Sequence, residues 1–367
     1  SDFNITIDTG VPAAPSITAI TNDNTLVISG MAEADSNVDV LLDGGSIGTT
    51  MANGAGAWSF DYSTTSLNDG SYVLTATASD ASGNTSVVST DFNLTIDTGI
   101  PEVPSVTAIS DDTGTASDGI TNDNTLIFSG TAEANSSVTV LLNGGSIGTT
   151  TANGAGAWSY DHSGTLLSDA SYVITATASD SAGNVSASSI DFNLILDSVA
   201  PAPPSVTAIT TDSGSADGIS NDNTLIITGI AEANSTVDVL LDGVSIGTTT
   251  ANGVGVWSYD HTGTTLSDGS YVVTATATDS AANTSVASSD FNITIDTGIP
   301  AAPSVTAISD DNGTASDGIT NDSTLIISGT AEANSTVTVL LDGGSIGTTT
   351  ANGAGAWSYD YTGTTLS

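Results

Sequence analysis

The side chains able to do chemistry in this 367-residue chain are almost all oxygen donors. There are 41 Asp and Glu, two His, and no Lys, Arg or Cys, giving a formal charge of −41 at neutral pH. Without Cys, neither a disulfide framework nor a thiolate metal or redox centre is available. His162 and His261 each follow the phrase WSYD, at the place where other copies of the phrase carry Tyr62 and Tyr361. A residue interchangeable with tyrosine there reads as a strand-edge side chain, not a general base. No nucleophile–base constellation and no phosphate-cradling glycine loop opening a helix is present, so the chain is not expected to be an enzyme. The remaining chemistry is that of carboxylates held close together.

How these acids are held follows from a long internal repeat. Trp58, Trp158, Trp257 and Trp357 are spaced 100, 99 and 100 residues apart, each within a phrase of the type GAGAWSYD. The phrase IDTG recurs at Asp8, Asp97 and Asp296, with the variant LDSVAP at Asp197. A period near one hundred exceeds the roughly 20–50 residues of a solenoid repeat and suits an independently folding domain. Residues 1–10 read as the closing strand of a preceding repeat. Residues 11–98, 99–198 and 199–297 read as complete copies, and 298–367 as a truncated fourth. Both ends then cut through repeats, as expected of a window on a longer array.

Within a copy the apolar residues alternate. Tyr271, Val273, Ala275 and Ala277 share one face of a segment, as do Phe291, Ile293 and Ile295 in another, and Val138, Val140 and Leu142 in a third. This period of two, with Val, Ile and Thr prevailing, indicates half-buried strands and leaves no helix. Asp-Gly at 43–44 and 242–243 and Asn-Gly at 153–154 mark the turns. The second copy yields seven strands, A to G: PSVTAI, TLIFSGTAE, SVTVLLN, SIGTTTA, AWSYDH, SYVITATASD and DFNLILD. The expected fold is all-β: tandem immunoglobulin-like β-sandwich domains of about seven strands each, in an extended array. The tryptophans are expected in the core, flanked as they are by Gly and Ala.

Up-and-down strand order places the A–B loop at the exit of a domain and the B–C and F–G loops at its entrance. At the entrance to the second copy this gathers Asp97 from the linker, Glu133 from the B–C loop, and Asp180 with Asn184 from the F–G loop. The equivalent sets are Asp8, Glu33, Asp80 and Asn84, then Asp197, Glu232, Asp279 and Asn283; the fourth copy offers Asp296 and Glu332. The A–B loops add Asp111, Asp112, Asp118 and Asp123 at the second exit, and Asp212, Asp217 and Asp222 at the third. The first copy lacks an 11-residue stretch of this loop and keeps only Asp23.

Carboxylates converging without any cation in the chain repel unless a metal joins them. Oxygen-only ligands on flexible loops suit Ca²⁺, which takes about 6–8 oxygens, better than Zn²⁺ or a rigid Mg²⁺ site. The competing reading is that Asp and Asn merely form turns. That reading is preferred for Asp43, Asp69, Asp242 and Asp268, and metal binding for the junction sets.

The run GTAEANSTVTVLLDGGSIGTTTANGAGAWSYD (329–360), with LSDGSYVVTATATDSAANTS and FNITIDTGIPAAPSVT in other copies, resembles the bacterial Ig-like tandem repeats of giant biofilm and RTX-type surface adhesins. The resemblance spans essentially the whole chain. It implies a secreted protein at the bacterial cell surface whose repeats bind Ca²⁺ at their junctions and project a distal binding region. Two departures touch the junctions: Ala282 stands where SAGN (181–184) has Gly, and LDSVAP replaces IDTGIP. Both leave the carboxylates in place and bear on exact geometry.

The function expected is a structural extender whose partners are neighbouring repeats of the same chain. Nucleic acid is excluded, since nothing can replace the counterions of a phosphate backbone. Direct membrane insertion within this window is not expected either, as no apolar run approaches roughly 20 residues. Two alternatives remain: a self-assembling extracellular fibre or surface-layer protein, and a carbohydrate-binding module, which would need exposed aromatic patches.

Overall fold

A computed structural model describes residues 4–20, 25–210, 217–309, 317 and 319–366. Every regular element among them is a strand. The chain divides into two compact units, Ser1–Ala200 with Ser280–Asn283, and Pro201–Asp279 with Thr284–Ser367.

The second repeat, in the first unit, shows the architecture in full. Strands A (Ser105–Ile109), B (Ile127–Thr131) and E (Ala157–Asp161) form a three-stranded antiparallel sheet with B in the middle. Strands C (Ser137–Leu142), D (Gly145–Thr151), F (Ala170–Ser179) and G (Phe192–Leu196) form the facing sheet in the order D-C-F-G. An eighth, two-residue strand A′ (Ile120–Thr121) lies in the A–B loop and pairs in parallel with G. Alternation could not reveal it, because two residues carry no period.

Between the sheets lies one core. Val138, Val140, Ile174 and Ala176 are fully buried, and Trp158 is 3% exposed. Gly130 makes room for the indole: a Cβ there would sit 1.9 Å from the Ser105 carbonyl oxygen and 2.8 Å from Trp158 Cζ2. The C–D hairpin turns on Asn143 (φ 49°) and Gly144 (φ 80°), the left-handed pair of a type I′ turn. His162 stacks on Tyr160 with ring centroids 6.1 Å apart, as Tyr62 stacks on Phe60 at 6.1 Å, which explains why His and Tyr exchange there.

The first repeat has the A-B-E sheet and a D-C-F-G sheet of four strands; Asp23 falls outside the described residues. Residues 4–10 form no strand, and Ile5 and Ile7 are exposed, whereas the matching Leu94 and Ile96 are buried. In the second unit, the third repeat repeats both sheets, with its own A′ strand (Ile219–Ser220) parallel to Phe291–Ile295. The fourth has the A-B-E sheet and the C–D pair around Trp357, which is 4% exposed.

Candidate junction site

The linker is gripped by the F–G loop that follows it. Asn184 donates from Nδ2 to the Asp97 carbonyl oxygen at 2.9 Å and to Asp180 Oδ2 at 2.7 Å. Asp180 Oδ1 accepts the backbone N–H groups of Gly183 and Asn184. These bonds, led by that from Asn184, hold the Asp180 carboxyl below its ordinary range. The first repeat repeats the pattern: Asn84 donates to the Asp8 carbonyl at 3.2 Å and to Asp80 Oδ2 at 2.8 Å, and Asp80 is lowered for the same leading cause. Ser82 adds a bond to Asp8 Oδ2 at 3.3 Å. At the next linker Asn283 donates to the Asp197 carbonyl at 2.8 Å. Linker aspartates and F–G loops therefore meet at the entrances to the first three repeats, as strand order requires.

The loop that places these asparagines needs a left-handed residue. Gly83 and Gly183 take φ of 89° and 94°, and Ala282 is held at 69° in the same position. This is how the Gly-to-Ala departure is accommodated, with strain that an alanine Cβ makes unavoidable. The LDSVAP departure costs the linker nothing visible, because Ser198 keeps the hydroxyl of Thr98.

That hydroxyl shows a role the sequence reading missed. Asp69 Oδ1 accepts both the N–H of Thr98, at 3.0 Å, and its Oγ1–H, at 2.8 Å. Asp169 does the same for Ser198, and Asp268 for Thr297. Reading Asp69 and Asp268 as turn formers alone is thus too narrow: each spans 29 residues to hold a linker. The only signal available was the recurrence of an Asp just ahead of each F strand.

At the second exit the A–B loop behaves unevenly. Asp118 Oδ1 accepts Ile120 N–H, and Asp123 Oδ1 accepts the N–H and Oγ1–H of Thr125, both local turn bonds. In the third repeat Asp217 and Asp222 make the matching bonds to Ile219 and Thr224; Asp212 lies outside the described residues. Asp111 (φ 48°) offers its carbonyl to Thr121 Oγ1 at 2.6 Å. Asp112 differs: Oδ2 accepts Ser117 N–H at 2.6 Å, while Oδ1 is buried without a partner. Beside it Thr113 Oγ1 donates to the Ala281 carbonyl at 2.7 Å, and Asp197 N–H donates to the Thr121 carbonyl at 3.0 Å. Within the first unit, the A–B loop, the linker and residues 280–283 thus come together.

Glu33, Glu133, Glu232 and Glu332 stand exposed in their B–C loops, each carbonyl closing a short turn with Ser36, Ser136, Ser235 or Ser335. Asp279 opens the third F–G loop, and the Asp296 N–H donates to the Ser220 carbonyl. Among the described residues no three acidic or histidine side chains form a ready metal-holding group. The donor set is nevertheless all oxygen, and the orphaned Asp112 Oδ1 is an acceptor that a hard cation would satisfy.

The chain belongs to the bacterial Ig-like domain family, whose model matches residues 2–98, 100–198, 200–297 and 299–366. No curated protein matches it. Among solved structures it is similar to the tetra-tandem repeat in the extending region of a large adhesion protein, at 24% identity over 95% of this chain and 90% of that one, TM-score 0.31. It is also similar to a structure concerning host cell surface retention of a 1.5-MDa bacterial ice-binding adhesin, at 22% identity over 75% and 91%, TM-score 0.32. A third is that of the Clostridium thermocellum CbhA fibronectin(III)-like modules, at 16% identity over 51% and 93%, TM-score 0.32.

Proposed function

We propose that this array is the structural extender, or stalk, of a large secreted bacterial adhesin, stiffened by Ca²⁺ at its junctions and projecting a distal binding region in adhesion or biofilm formation. The observation that carries this reading is the recurring capture of a linker aspartate by the F–G loop of the next repeat. A protein that repeats one long-range side-chain contact at successive joints is built to govern those joints. Its other recurring side chains, the four tryptophans, are consumed by the cores, which counts against a carbohydrate-binding face.

Calcium would supply the positive charge that this chain lacks, drawing together carboxylates that otherwise repel. The residues that would hold it are the linker aspartates, the B–C glutamates, the F–G Asp and Asn pairs, and Asp112 on the A–B loop. A surface location outside the cell follows from the same role. The test is thermal unfolding of the whole chain with Ca²⁺ and with chelator. The reading expects a clear rise in Tm with Ca²⁺, and a Tm indifferent to both would overturn it.

A further inference from the structure

We infer that the linker between the first and second repeats is also a two-sided hydrogen-bond clamp, which keeps these two repeats aligned without any bound cation. Two neighbouring linker residues are held from opposite sides. Thr98 is bound through its N–H and Oγ1–H by Asp69 of the preceding repeat, and the Asp97 carbonyl by Asn184 of the following one. Gly99 N–H closes a tight turn on Asp97 Oδ1 at 3.0 Å, so each of three successive linker residues takes part in at least one hydrogen bond. The next linker copies the arrangement with Asp169 on Ser198, Asn283 on the Asp197 carbonyl, and Val199 N–H on Asp197 Oδ1.

The geometry leaves little slack. Backbone rotation between residues 97 and 98 would have to break one grip or the other, because the two anchors belong to different folded domains. The bonds to Asp69 are charge-assisted and therefore among the stronger kind. Since Asp69 lies outside the set expected to hold calcium, its grip persists when the ion is removed. The Asp69 side of the clamp thus stands apart from the calcium reading and sets a floor beneath it: chelation leaves that grip on Thr98 in place.

The chain has no cysteine, so Met51→Cys and Leu166→Cys, at exposed positions of the first and second repeats, give a unique pair of spin labels in the full chain. In chelator, the distance distribution of the otherwise unaltered chain should stay narrow, and Asp69→Ala should broaden it about twofold or more. Thr98→Val, which spares the carboxylate and removes only one bond, should give an intermediate width and guards against a folding defect in the first variant. Equal widths for the unaltered chain and Asp69→Ala in chelator, whether both broad or both narrow, would overturn the clamp. The calcium reading is judged separately, by the response of the unaltered chain's Tm to the ion.

Discussion

Asn184 reaches across 87 positions of sequence to donate its side-chain amide to the carbonyl oxygen of Asp97. The same nitrogen bonds Asp180 Oδ2, so one side chain couples the state of an F–G carboxylate to the hold on a linker.

Removing that amide should therefore change a titration. Asp180 is held below its ordinary range first by Asn184, and its ionised form is the one the fold prefers. The associated stabilisation is present above the ordinary aspartate value and fades as pH falls through the lowered one. Asn184→Ala should move the Asp180 titration upward toward an ordinary aspartate, followed by carboxyl NMR, with Asp80 unmoved as the internal control.

The orphaned oxygen of Asp112 makes a prediction whose sign depends on calcium. In chelator, Asp112→Asn removes the charge of a half-buried carboxylate whose Oδ1 has no partner and should stabilise the second repeat, on the order of 1 kcal/mol. With Ca²⁺ present the same change should weaken ion binding and lower Tm. Stabilisation of equal size under both conditions would remove Asp112 from the calcium set.

Ala282 should be improvable. Its φ of 69° is one that glycine adopts at Gly83 and Gly183. Ala282→Gly is expected to relieve about 1 kcal/mol of backbone strain, offset in part by the entropy of the unfolded glycine. Slower amide exchange around residues 280–283 is the readout.

Gly130→Ala should be costly. The added methyl would strike both the Ser105 carbonyl and the Trp158 ring, and neither backbone nor a fully packed indole can withdraw. A loss of about 3 kcal/mol from the second repeat is expected. Hydrogen exchange resolved by repeat would place the damage there and spare the others.

Much of the fold was legible because its signals are local. Val138, Val140 and Leu142 alternate, Trp158 recurs at a fixed place, and Asp-Gly marks hairpins, so seven strands and a buried tryptophan follow without coordinates. Strand order alone also carried Asp97 to the F–G loop. Strand A′ escaped, since Ile120 and Thr121 form a strand only through their partner Leu196 and its neighbour.

The sequence by itself determined the repeat, the sandwich class and the large negative charge, because composition and a period of two are properties of the chain wherever it lies. Which carboxylates act at a joint was decided by tertiary structure. Asp69 and Asp43 both precede glycine and look alike in sequence; Asp69 reaches the linker at Thr98, whereas Asp43 bonds the backbone N–H of Val73. The difference arises because a carboxylate's partner is set by which strands fold back beside it, and that placement depends on contacts made dozens of residues away.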